Sequence, residues 1–123
     1  MIVRVERWRV VPLLAAACWL LVPALAAAHA HLQQSDPADG ATIAAPAQFT
    51  LQFSEAARLT ALTLVKVGQS SAEKITPLPT AAAAQLHVPA PRLAPGSYEL
   101  RYRVISADGH IMGGSVHFTV AAH

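Results

Sequence analysis

The chain has 123 residues, 54% of them hydrophobic and 13% charged, with a formal net charge of +2 at pH 7. That length holds one domain at most. The basic excess sits in residues 1–28, which take three of the nine cations (Arg4, Arg7, Arg9) and one of the seven acids (Glu6), so the remaining 95 residues are neutral overall. A neutral domain lacks the electrostatic footprint of a nucleic-acid binder and has no charge-driven attraction to a membrane surface.

The first element in chain order is a leader. Arg4, Arg7 and Arg9 form a positive n-region, Val10 to Leu21 is an apolar run, Pro23 interrupts it, and Ala26-Ala27-Ala28 supplies small residues at a cleavage site. We expect residues 1–28 to be a secretory signal peptide and residues 29–123 to be the exported domain, not embedded in a membrane. Two alternatives stay open: an uncleaved anchor, since about 20 residues span a bilayer, and cleavage after Ala30, which makes His31 the terminus. Cys18, the only cysteine, departs with the leader, and the apolar run beyond it argues against a lipoprotein. The exported domain then has no disulfide, so packing alone must hold it together.

From Leu32 to Ala47 the chain is turn-rich, with a first strand expected over Leu32–Ser35 and a turn at Asp39-Gly40. Phe49-Thr50-Leu51-Gln52-Phe53 alternates strictly, as a half-buried strand does, and Ser54-Glu55 reads as its end. Leu59–Val67 is expected to be a separate strand, followed by a loop at Gly68–Ser71. Between Ala72 and Pro95 the short runs Ile75–Leu78 and Leu86–Val88 are expected strands. Ala81–Ala84 between them favours a helical turn by propensity but is too short for an isolated helix. Tyr98, Leu100, Tyr102 and Val104 alternate with Glu99, Arg101 and Arg103, and Val116, Phe118 and Val120 repeat the pattern beyond a Gly-rich turn at 106–115. Roughly seven short strands and no convincing helix predict an all-β, antiparallel, Ig-like β-sandwich or barrel.

The residues that carry chemistry lie at the two ends of this domain. If the cut follows Ala28, His29 acquires a free α-amine, whose reference pKa of about 7.7 to 8.0 lets a strong Lewis acid deprotonate it near neutrality. That amine and the Nδ1 of the same residue can close a chelate ring on one metal. Asp108 and His110 stand two residues apart with Gly109 between them, so in extended chain they point the same way. Together the set is nitrogen-rich with mixed N/O donors, which suits Cu(II). His31, third from that terminus, offers a competing mode in which the amine, two backbone amides and its own imidazole wrap the ion. Glu55 is an auxiliary candidate that could orient a liganding group. His87, His117 and His123 are read as surface or packing residues. Without the leader there is no Cys and only Met112 among methionines, so the soft donors a cuprous site needs are absent. No nucleophile motif or phosphate loop is present.

Three ordered blocks, HAHLQQSDPADGATIAAP, LQFSEA and YRVISADGHIMGGSVHFTV, make the chain resemble the CopC family of periplasmic copper-resistance proteins across the exported region. The resemblance implies a small Greek-key β-barrel or sandwich in the periplasm that binds Cu(II). It implies His29 as the terminal ligand through amine and imidazole, Asp108 and His110 as the later pair, and Glu55 as a carboxylate sometimes placed beside the site. It further implies a CopD-like inner-membrane partner thought to import copper. Family members with a second, cuprous site carry a methionine-rich loop, whereas Ala72–Val88 here contains no methionine. We therefore expect a monomeric, non-enzymatic Cu(II) carrier or buffer. The alternatives are a small copper monooxygenase-like enzyme built on the terminal histidine and a metal-free interaction module.

Overall fold

The computed structural model describes residues 30–122. The leader expected at residues 1–28, the candidate ligand His29 and the terminal His123 lie outside the described residues. Seven strands form within them: β1 (Leu32–Asp36), β2 (Ala41–Ile43), β3 (Gln48–Lys66), β4 (Ala72–Lys74), β5 (Ala83–Pro89), β6 (Gly96–Ser106) and β7 (Ile111–Val120). No helix occurs among the described residues. The strands run β1-β3-β6-β7-β2 in one curled sheet, with β4 and β5 both pairing β3. Every pairing is antiparallel except that of β2 with β7. The expected all-β architecture and strand number hold.

The strand expected to end at Ser54-Glu55 does not end there. Gln48–Lys66 is one strand of 19 residues, not the two expected on either side of this polar stretch. Its N-terminal half pairs β5 and β1, and from Ala57 onward it pairs β6, with register shifts between Gln52 and Ala57 and between Leu59 and Ala61. Ser54, Glu55 and Ala56 are exposed, which made them look like a terminus. The backbone stays extended there because the Ser54 N–H donates to the carbonyl of His31 at 2.8 Å. Backbone hydrogen bonding, which side-chain polarity does not report, keeps the strand going.

Three further expectations are corrected. The edge strand after the Gly68–Ser71 loop is Ala72–Lys74 and not Ile75–Leu78. Ile75 still donates its N–H to Leu62 and is buried, but Pro77 has no N–H to continue a ladder. Ala83 and Ala84 are extended in β5, Ala83 opposite Ala57, so tertiary pairing overrides their helical propensity. β2, a segment of three residues parallel to β7, was read as turn.

The Gly-rich run is the fifth correction: the turn is confined to residues 107–110, and Gly113 and Gly114 belong to β7. Their reason is steric. The Tyr102 ring lies over Gly114, where a Cβ would sit 2.5 Å from the hydroxyl oxygen and 2.8 Å from Cζ. That ring is held in place edge-on against Phe53, with centroids 5.6 Å apart and planes at 68°.

Alternation puts one face of each long strand into a single hydrophobic cluster. Phe49, Leu51 and Phe53 of β3 meet Leu100 and Val104 of β6 and Val116 and Phe118 of β7 there, all under 4% exposed. Phe118 stacks on Tyr98 at 5.5 Å and tilts against Phe49 at 6.0 Å. Burial of this kind stabilises a small domain by roughly 25 cal/mol per Å² of apolar surface, and no disulfide among the described residues supplements it. Gly114→Ala should therefore cost about 1–3 kcal/mol by overpacking. Urea unfolding will measure the loss, and adding Tyr102→Leu should return much of it; a Gly114→Ala protein of unchanged stability would refute the steric account.

Candidate metal centre

The β6–β7 hairpin ends in a tight turn that fixes both Asp108 and His110. Ser106 N–H donates to the His110 carbonyl and Gly109 N–H to the Ser106 carbonyl, each at 2.9 Å. Gly109 lies at φ +90°, a conformation that L side chains rarely adopt, so glycine is what lets the chain reverse here.

Ser106 is the one buried polar residue of the described chain, 6% exposed. Its hydroxyl donates to Oδ1 of Asp108 and also lies 3.3 Å from the His110 carbonyl. The other carboxylate oxygen, Oδ2, lies 2.7 Å from Nδ1 of His110, and the His110 N–H approaches Oδ1 at 3.4 Å. Spacing alone placed the two side chains together; the structure adds that a buried serine holds the carboxylate from below. The signal available in the sequence was a hydroxyl two residues before the aspartate, the pattern of a turn residue that bonds locally.

These contacts act on the charge of Asp108. The Ser106 hydroxyl, then the His110 ring, lower its carboxyl pKa from 3.8 to about 2. Asp108 is thus an anion across the working range. An anionic carboxylate accepts and cannot donate, so it favours the His110 tautomer protonated on Nδ1, which leaves Nε2 as the ring's lone-pair donor for a metal.

The start of the described chain arrives at the stretch of β3 that roots this turn. Ala30 is 1% exposed and belongs to the core cluster. His31 is clasped by Ser54 through two hydrogen bonds, its N–H to Oγ at 2.9 Å and its carbonyl from Ser54 N–H at 2.8 Å. Three residues further along β3, Ala57 pairs with Ser106, the root of the turn. Glu55 lies on that intervening stretch, exposed. Register therefore gathers His31, Glu55 and the root of the Asp108–His110 turn along the middle of β3, with Asp108 and His110 in direct contact. Among the described residues no group of three or more His, Cys, Asp or Glu is close enough to hold a metal.

The remaining histidines have other contacts. His87 Nδ1 is 3.1 Å from Thr50 Oγ1, and His117 lies between Asp39 at 3.6 Å and Glu99 at 3.7 Å.

Comparison with known proteins places these features in a family context. The family model described as the CopC domain matches residues 32–121. Copper resistance protein C of Pseudomonas syringae pv. tomato is 36% identical over 114 residues, covering 85% of this chain and 90% of that protein. Protein YobA of Escherichia coli K12 is 39% identical over 99 residues, covering 76% and 79%. Among solved structures, CopC from Methylosinus trichosporium OB3b superposes with a TM-score of 0.65 at 27% identity, covering 77% of this chain and 96% of that one. PcoC, a methionine-rich copper resistance protein from Escherichia coli, does so with a TM-score of 0.58 at 30% identity, covering 76% and 99%.

Because the folded-state carboxyl of Asp108 titrates below its ordinary value, its contribution to stability is present above about pH 3.8 and is lost as the pH falls towards 2. Ser106→Ala removes the largest cause of the shift and should move the Asp108 titration up towards the ordinary carboxylate range. A carbon-detected NMR titration of the side-chain carboxyl will show it, and an unmoved midpoint would mean that His110 alone sets the charge.

Proposed function

The chain belongs to the CopC family, and on that premise we propose that it is a non-catalytic periplasmic protein that binds one Cu(II) and carries or buffers it. The proposed ligands are the α-amine and Nδ1 of His29, freed by cleavage after Ala28, with His110 through Nε2 and Asp108 through its carboxylate. Copper is the cargo in this reading. A CopD-like inner-membrane protein is the proposed recipient, with the domain acting as a monomer.

The observation that carries the proposal is the Asp108–His110 pair, an ionised carboxylate 2.7 Å from an imidazole on a turn that Ser106 braces from inside. Nδ1 and Nε2 face opposite sides of the imidazole, so Asp108 must release His110 Nδ1 to join an ion held on Nε2, while the lone pairs of its carboxylate let the bond from Ser106 stay. Burial of Ala30 and the His31–Ser54 bonds support the other half of the set, since they tie the chain next to residue 29 to the middle of β3, where Ala57 roots the turn.

Two features favour the cupric state and simple binding over redox turnover. Asp108 is a hard anionic donor, and beyond the leader the sequence offers only Met112 as a sulfur ligand. The relative described as methionine-rich differs from this chain in that respect.

The competing mode through His31 requires its backbone amide to deprotonate and wrap the ion. Here that amide donates to Ser54, and Ala30 beside it is packed in the core. Wrapping must break both arrangements, so the folded domain disfavours it. Glu55 keeps the auxiliary role of accepting a hydrogen bond from a ligand.

The test is titration of the exported protein with Cu(II), its first residue fixed by mass spectrometry. We expect one tight equivalent and a tetragonal electron-paramagnetic spectrum with nitrogen hyperfine structure. His110→Ala, or one extra residue before His29, should weaken binding at least tenfold, while His31→Ala leaves it within about twofold. Affinity that survives His110→Ala and falls with His31→Ala would replace this site with the terminal-peptide mode.

A further inference from the structure

The exported region is neutral overall, but its charges are not evenly spread. Register across β3, β6 and β7 builds rows on the solvent face: Arg58–Ile105–Ile111, Ala61–Arg103–Gly113, Thr63–Arg101–Ser115 and Val65–Glu99–His117, with Lys74 of β4 beside Thr63. Four of the six cations between residues 29 and 123 thus share one face with Glu99, and Asp39 reaches its rim only at His117. Arg101 is paired with that acid at 3.0 Å. Among the described residues, Arg58, Arg103 and Lys74 have no carboxylate within ion-pair distance.

Beside this face lies an open strand edge. The His117 carbonyl accepts from Gly40 N–H at 2.6 Å and its N–H donates to Asp39 at 2.8 Å, so the backbone groups of residue 117 point away from β6. Strand periodicity of two turns those of Ile111, Gly113 and Ser115 the same way. β2 covers β7 only from Phe118 to Val120. No strand among the described residues pairs with the outer edge of Ile111–Ser115, and this segment holds no charge or proline of the kind that blunts an edge. Ile111 is 67% exposed.

We propose that the β7 edge from Ile111 to Ser115 takes an extended acidic segment of a partner protein, which adds as a further strand and sets a carboxylate against Arg103 across Gly113. An added strand lies about 4.8 Å beyond β7, and Arg103 sits one strand spacing behind it. Gly113 has no side chain to block the path between them. Arginine's planar fork matches a carboxylate in two-point contact. The row of unpaired amides and carbonyls matches another peptide backbone and not a lipid surface, which offers no such repeat. A second copy of this chain is the wrong occupant, because its own edge brings no acid and would set Arg103 near a second Arg103. The inference does not depend on copper, although the edge begins next to His110.

The experiment uses two short synthetic peptides, alternating Val with Glu or Val with Lys, and phosphatidylglycerol vesicles, against the purified isotope-labelled protein. The Val–Glu peptide should shift the amide signals of Ile111, Gly113 and Ser115 and slow their hydrogen exchange. Arg103→Ala should weaken it about two- to fivefold. Ser115→Pro, which removes an outward N–H, should do the same with the remaining spectrum unchanged. Equal binding of the Val–Lys peptide, protection elsewhere in the sheet, or Arg103-dependent binding of the vesicles without the peptide would overturn the proposal. So would concentration-dependent self-association through the same amides.

Discussion

One strand changing partners organises this molecule. β3 gives its first half to β5 and β1 and its second to β6 and β4. The polar stretch between the halves bonds instead to the backbone of His31. Without that handover the first residues of the described chain and the β6–β7 hairpin would belong to different parts of the fold. With it, two segments separated by some 75 positions come together beside the middle of one strand. The core beneath, with Phe118 wedged between Phe49 and Tyr98, packs the strands that carry the arrangement.

The turn rooted there is a small case of preorganisation. A buried hydroxyl normally costs free energy unless it finds a partner. Ser106 finds two, and both are parts of the candidate site. The carboxylate is thereby charged and oriented before any ligand arrives, and the imidazole is set by the carboxylate. Each layer fixes the next, from backbone reversal at Gly109 outward.

Much of this was legible from the residues, for identifiable reasons. Strict alternation at Phe49–Phe53, Tyr98–Val104 and Val116–Val120 gave away the half-buried strands, since a sheet with one wet face imposes a period of two. The Asp-Gly-His triplet pointed to a shared site for the same geometric reason. What escaped was decided by partners far away in sequence. Continuity of β3 past Glu55 depends on His31, the extended state of Ala83 on Ala57, and the strand character of Gly113-Gly114 on the Tyr102 ring. The supporting role of Ser106 was hidden because burial, not residue type, gives it meaning. His29 stands apart from this comparison, lying outside the described residues.

The parallel pair between β2 and β7 has a consequence in time. Asp39 and His117, which clasp each other beside it, are 78 residues apart, and β1 likewise waits for β3. Loop-closure entropy must be met before such distant contacts stabilise anything, and topologies of this kind fold in milliseconds to seconds. β7 comes last of the seven strands in sequence, so the sheet cannot be completed until residues 111–120 are available. Until then β6 lacks one neighbour and β2 lacks its strand partner, so the earlier strands cannot lock into place one by one.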